Sequence, residues 1–373
     1  MRSFISPSTD GIFITEVEPG AGIRLAVKDL FDTAGVRTTY GSAIFADHVP
    51  DRTAEAVARL EAGGYTNVGK ANLHEFAYGV TSENPHFGNV PNPRAEGRVA
   101  GGSSGGSAAA IAAGLADVAL GSDSAGSIRI PAACCGIVGF KPTYGLVPLD
   151  GCFPLAPSFD HAGPMGRDVN DCVPMLEALA PGFRPTDVEL AELAVGVAWL
   201  DQAAPLVRER VAAATAAFPG ARSLHLPVPD RRDWGPLFRR EAVESHLGLF
   251  PERAEDYGDD VREQLEQALE LSDGDVAAAA SVRERYHETF AELAESFDLL
   301  VTPTLPVVAP RFGHGDRTTL TKFTSMFNLV GWPALALPCG AAEDGLPASV
   351  QLAATAGSDA LVLAAGAALE RAL

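Results

Sequence analysis

Residues 101–135 read GGSSGGSAAAIAAGLADVALGSDSAGSIRIPAACC, with one Gly/Ser turn at Gly101–Ser107 and a second at Gly121–Ser127. The small residues AAAIAAGLA that follow the first turn predict a buried, closely packed helix. LADVALGSD then gives a strand that ends at the second turn, and SIRIPAACC a short helix after it. Toward the N-terminus, GIFITEV and IRLAVKD read as strands, TAEAVARLEAGG as a helix and TNVGK as a further strand. Between these and the first turn, VTSENPHFGNVPNPRAEGR is a long ordered loop rich in Pro, Asn and Gly, of the kind that serves a site. Residues 187–297 open with the strand AVGVAWL and continue as three or four acidic, Ala-rich amphipathic helices, read as a divergent peripheral region. DLLVTPTLP, ALALPCG and ASVQLAA are strands again, and DALVLAAGAALERAL is a closing helix. The expected fold is α/β: a single domain spanning 1–373, with a large mixed β-sheet covered by helices on both faces.

The bulk numbers are those of a folded globular chain. Of 373 residues, 47% are hydrophobic and 20% charged, which is ample for a core and too apolar for disorder. A formal net charge of -20 offers no basic footprint for nucleic acid or an anionic membrane, so neither is expected as a partner. The N-terminal MRSFISPSTDGIF lacks a basic segment followed by an apolar one, and no run of about eighteen apolar residues occurs, which places the chain in the cytoplasm. Five cysteines, two of them adjacent (Cys134 and Cys135), suit neither a disulfide framework nor a CxxC metal site and read as buried fillers.

Arg is used throughout, whereas Lys occurs only at Lys28, Lys70, Lys141 and Lys322. A lysine kept against that bias marks a place where a titratable amine or a compact charge is wanted, although chance retention covers most of the four.

Four readings of the Gly/Ser turns compete. A phosphate cradle needs GxxxxGK[ST] or GxGxxG, and neither turn supplies it. An α/β-hydrolase elbow fits GxSxG at Ser103 or Ser104, but the preceding NPRAEGRVA is polar and Pro-containing. Its candidate partners, the adjacent Asp160 and His161, would also have to fold back. Glycines serving only close packing would explain either turn alone. The fourth reading joins both turns to an amine. His74 and Glu75 begin an HExxH zinc helix that fails because position 78 is Tyr, so no metal and no cofactor is expected.

From Ala26 to about Pro164 the chain resembles the amidase signature family, in AVKD, GKANLHEFAYG, TSENPHFGNVPNP, GGSSGGSAAAIAAG, GSDSAGSIRIPA, CGIVGFKPTYG and SFDHAGP. VTPTLP, FNLVGWPALALPCG and VQLAA are weaker family-like stretches, and the middle hardly matches. The resemblance implies hydrolysis of a carboxamide C–N bond through a relay of Lys28, Ser103 and Ser127. Ser127 would be the nucleophile, Ser103 would sit on a cis peptide, and the backbone N–H groups of Ser124, Ala125, Gly126 and Ser127 would form the oxyanion hole. A buried lysine of depressed pKa serves as base where no histidine is at hand. Asp123 would hold the second turn through backbone hydrogen bonds, and Arg129 would pair with a carboxylate. Asn72, Glu75, Tyr78 and Gly79, with Ser104, are candidate pocket or supporting residues. Position 125 is Ala where the family most often has Gly, so an altered substrate fit is expected there.

The expected partner is a small-molecule amide, with a homodimer as the assembly. Two rivals share the motifs: a glutamine-hydrolysing chain of the A type from tRNA-dependent amidotransferases, and a non-catalytic binding protein of the same fold. Lys28 lies close to the first residue, and the helical segment that usually precedes it in the family is missing, which favours the stand-alone hydrolase.

Overall fold

The computed structural model describes residues 10–228 and 230–373, so the reading of the first nine residues lies outside it. Among the described residues eleven strands form one sheet: β1 (Phe13–Glu16), β2 (Ile23–Lys28), β3 (Tyr65–Ala71), β4 (Val118–Ser122), β5 (Val138–Lys141), β6 (Ala162–Gly166), β7 (Val195–Val197), β8 (Ala221–Ser223), β9 (Leu299–Pro303), β10 (Ala334–Ala341) and β11 (Pro347–Ala353). Their order is β1-β3-β2-β4-β6-β5-β10-β11-β9-β7-β8. The sheet is mixed. β2 runs parallel to β3 and β4, and β7 parallel to β8 and β9, while the remaining pairs are antiparallel.

Alternation along the central strands sorts the two faces by size. Leu25 and Val27 of β2, Val118 and Leu120 of β4, and Leu335 and Leu337 of β10 join the larger core, against which the helices Val169–Leu179 and Asp359–Ala372 pack. Their neighbours Ala26, Ala119 and Ala336 enter a second core with Ala108, Ala109 and Ala132. Successive strand residues point to opposite faces, so bulky residues on one side and alanines on the other let the helices Gly105–Ala112 and Arg129–Cys135 lie close to the sheet. Gly106 marks the tightest approach, since a Cβ there would stand 2.3 Å from the Asn72 carbonyl oxygen. This closeness brings the N-terminal ends of both helices to the C-terminal edge of β2 and β4.

Within residues 187–297, β7 and β8 extend one edge of the sheet, and the described residues carry four α-helices, Pro205–Thr215, Arg231–His246, Asp259–Leu269 and Asp273–Ala294. The second is anchored through Phe238, whose ring meets Phe159 edge-on at 5.3 Å. The third is tied to the loop around Tyr78: Asp260 Oδ2 lies 2.7 Å from His74 Nε2, and the Gly258 N–H just before it donates to Glu75 Oε2. Among the described residues no helix is long and apolar enough to cross a membrane.

Candidate active site

Lys28 is the last residue of β2 and is wholly buried. Its Nζ donates to Ser103 Oγ and to Ser122 Oγ, each at 2.7 Å. Burial pushes the amine down to about 7, against smaller opposing pulls from Cys152, Asp123 and Asp160. Lys70 and Lys141 are also fully buried, so three of the four lysines are interior, and only Lys322 is partly exposed. Lys70 donates to the Phe31 carbonyl and Thr38 Oγ1 beside Asp29, and Lys141 donates to the Pro142 carbonyl close enough to Asp123 of the second turn to favour its charge; neither bonds to a serine of the two turns.

The Gly102–Ser103 peptide is cis. The Ser103 carbonyl accepts from Ser82 Oγ at 3.1 Å and from the His74 N–H at 3.2 Å. Ser104 fastens the two turns together: its N–H donates to the Ser127 carbonyl, and its hydroxyl donates to the Ser122 carbonyl at 3.1 Å. Ser127, 6% exposed, borders a small cavity with Ser124 and Ala125, and its hydroxyl makes no hydrogen bond among the described residues. Such a contact commonly tightens only when substrate is bound.

Asp123 organises the second turn from inside. Oδ1 accepts from the Gly126 N–H, Arg129 and Asn328, and Oδ2 from the Ile128 N–H and Arg129. Burial opposes its charge, but Arg129, Lys141 and Asn328 outweigh burial and hold the carboxyl below its ordinary range. The Gly126 N–H is therefore already taken. Of the four N–H groups expected to form an oxyanion hole, those of Ser124, Ala125 and Ser127 make no hydrogen bond among the described residues, and that of Gly126 donates to Asp123. Gly126 is required for another reason: its φ is 132°, and a Cβ would meet Thr324 Oγ1 at 2.3 Å. Ala125 has no positive φ, so its methyl is carried without backbone strain.

Other predicted residues separate. Asn72 spends its side chain on the Gly11 and Gly88 carbonyls and the Leu73 N–H. Glu75 spends its own on His86 and the Gly258 N–H. Both brace backbone and border none of the three cavities near the turns. Gly79 is needed for packing, since a Cβ would fall within 2.3 Å of the His74 ring. Tyr78 does border the small cavity at Ser124, Ala125 and Ser127 together with Arg231 and Arg317, and its carbonyl accepts from Arg317 at 2.9 Å. Arg231, Arg317 and Thr321 also line a wider cavity of about 790 Å³. On the other side of Ser122 and Ser124, Leu30, Cys152 and Phe153 help enclose an apolar cavity of about 150 Å³. The sequence alone assigns no role to Ser122, Arg231 or Arg317. Ser122 lies inside the second turn, whereas the arginines are far off in sequence with no motif to mark them. His161 Nδ1 lies 2.7 Å from the Phe159 carbonyl, and no histidine bonds to the Ser103 or Ser127 side chain among the described residues, so the elbow reading finds no support.

A buried amine on one turn's serine, beside a second turn with free N–H donors, is an acyl-transfer arrangement rather than a phosphate cradle. The sequence agrees, because a model of the family described as Amidase matches residues 14–199 and 211–363. The chain belongs to the amidase family. The A subunit of the glutamyl-tRNA(Gln) amidotransferase of Koribacter versatilis is 36% identical across 95% of this chain and 85% of its own length. Among solved structures, the A subunit of the glutamyl-tRNA(Gln) amidotransferase of Thermotoga maritima superposes with a TM-score of 0.80 at 31% identity, over 94% of this chain and 85% of that one. A chain from a vestigial protein complex linked to the origins of an s-triazine catabolic enzyme gives 0.87 at 33% identity, over 96% and 85%.

These relatives overturn the expected partners. The sequence led to the expectation of a small-molecule amide, no nucleic acid, no membrane and a homodimer, with an amidotransferase chain kept as a rival. Several of the proteins it matches are named as subunits, of an enzyme named for a tRNA. Net charge misled because it sums over a whole surface, whereas docking is decided patch by patch.

Proposed function

We propose that this chain hydrolyses a carboxamide as the A-type subunit of a tRNA-dependent amidotransferase, releasing ammonia from glutamine through an acyl-enzyme on Ser127. The observation that carries the reading is the 2.7 Å contact between the buried Lys28 amine and Ser103 Oγ. In this reading neutral Lys28 takes the Ser103 proton as Ser103 takes that of Ser127, and Ser127 Oγ attacks the amide carbon. The negative charge that develops on the carbonyl oxygen meets the free N–H groups of Ser124, Ala125 and Ser127, each worth about 3 kcal/mol when well placed. The tetrahedral species collapses with the proton returned through Ser103 to the departing nitrogen, so ammonia leaves and the acyl group stays on Ser127. Water then attacks the ester by the same base, and the acid is released. Ser122 gives the Lys28 amine a second hydroxyl contact that fixes its direction. The reading treats residues 1–373 as one domain and places the protein in the cytoplasm.

The test is glutamine-dependent ammonia release by the wild type, Ser127→Ala and Lys28→Ala, followed by amide formation on glutamate-charged tRNA when the partner subunits are supplied. Each variant is expected to lose at least about a thousandfold in kcat. Ammonia release that survives Ser127→Ala would sink the mechanism, and ammonia release without any tRNA product would remove the amidotransferase assignment.

A further inference from the structure

Two polar groups beside Ser127 lack the partners that their burial calls for. The Tyr78 side chain is 2% exposed, and its hydroxyl has no hydrogen-bond partner among the described residues. Arg231, half-buried in the first turn of the helix Arg231–His246, has no hydrogen bond or ion pair from its side chain among the described residues. A buried hydroxyl or charge left unpaired costs free energy that a fold seldom tolerates without a use. Both border the small cavity at the second turn.

Positive charge accumulates on this wall. Arg317 lines the same cavity, and Arg239 the wider one that opens from it. Of the acids nearby, Asp260 is held by Arg317 and His74 at 2.7 Å each, Asp230 is held by Arg232, and Glu263 borders only the wide cavity. Burial, then Arg317, pushes the Arg231 guanidinium down to about 10, the mark of a cation that lacks a counter-charge. In a chain of net charge -20 this is a local reversal of sign.

We infer that Tyr78, Arg231 and Arg317 form an anion-binding wall that takes a carboxylate on the acyl part of the amide, at the end remote from the carbonyl that Ser127 attacks. The inference rests on the function proposed above and names the substrate class: amides whose acyl group carries a carboxylate. A guanidinium fork beside a phenol O–H matches the two oxygens of a carboxylate.

Two amides of equal chain length separate charge from shape, glutaramate and pentanamide. Wild type is expected to favour glutaramate in kcat/KM by at least tenfold. Arg231→Met should lower the glutaramate value at least tenfold and change pentanamide less than twofold; equal loss on both amides, or no preference in the wild type, would overturn the wall. A second arm needs no turnover: glutarate titrated calorimetrically into Ser127→Ala should bind, and adding Arg231→Met or Tyr78→Phe should weaken binding at least tenfold and at least threefold. Tyr78→Phe should leave the melting temperature unchanged or higher, because it removes an unpaired hydroxyl, and a lower one would assign the phenol a structural role. Failure of glutarate to bind sinks the wall whatever the catalysis, whereas binding without Ser127-dependent turnover of any amide keeps the wall and sinks the hydrolytic reading.

Discussion

In the proposed mechanism Lys28 is the residue on which the chemistry turns, because an ammonium cannot accept a proton. With its amine held at about 7, kcat/KM should rise through pH 7 with a slope near one and flatten above it. The folded state keeps Lys28 neutral where the unfolded chain, at the ordinary 10.5, is still protonated. The unfolded state therefore binds more protons between about 7 and 10.5, and this group's contribution to stability grows with pH across that window. A pH–rate profile that is flat from 5.5 to 9 would exclude Lys28 as the base. The Lys28–Ser103 contact was legible in the sequence only through the resemblance of AVKD, GGSSGG and GSDSAGS to the family, which joins residues far apart along the chain. What escaped were contributions fixed only by folding. The loss of the Gly126 N–H to Asp123 depends on a side-chain rotamer, and the pocket arginines come from positions more than a hundred residues beyond the second turn.

At the scale of elements, the distance between the Ala-rich helix and the sheet decides where Ser103 stands. Gly106→Ala should force the helix Gly105–Ala112 off the Asn72 carbonyl, cost about 1–3 kcal/mol of stability and lower activity with it. Urea unfolding beside kcat would check both, and an unchanged midpoint would contradict the tight approach. The strands read from apolar runs fell where expected, β2 and β10 among them, because Leu, Val and Ala alternate there. β6 was missed: its Ala-Gly-Pro-Met-Gly carries almost no strand signal and is held by pairing to β4 and β5 on either side. The helix Val169–Leu179 was missed too, with Pro174 in its interior and an Asp168 cap that accepts from the Asp171 N–H.

Over the whole molecule the charge of -20 is a standing self-repulsion, locally relieved by pairs such as Arg129 with Asp123. Screening it should stabilise the fold, so the melting temperature is expected to be higher in about 0.5 M sodium chloride, where the screening length is only a few Å, than at low ionic strength, where it is tens of Å. A fall with salt would mean that attractive pairs outweigh the repulsion. The burial of Lys28, Lys70 and Lys141 has a consequence for handling the protein. Lys322, at the rim of the wide cavity and 5.6 Å from the centre of the Phe323 ring, is the one lysine that a reagent can reach in the folded state. Of the four lysine side chains an amine-reactive dye will meet that one and leave the three interior amines alone, so the sequence already carries a single-lysine handle for a fluorophore at the entrance to its cavity.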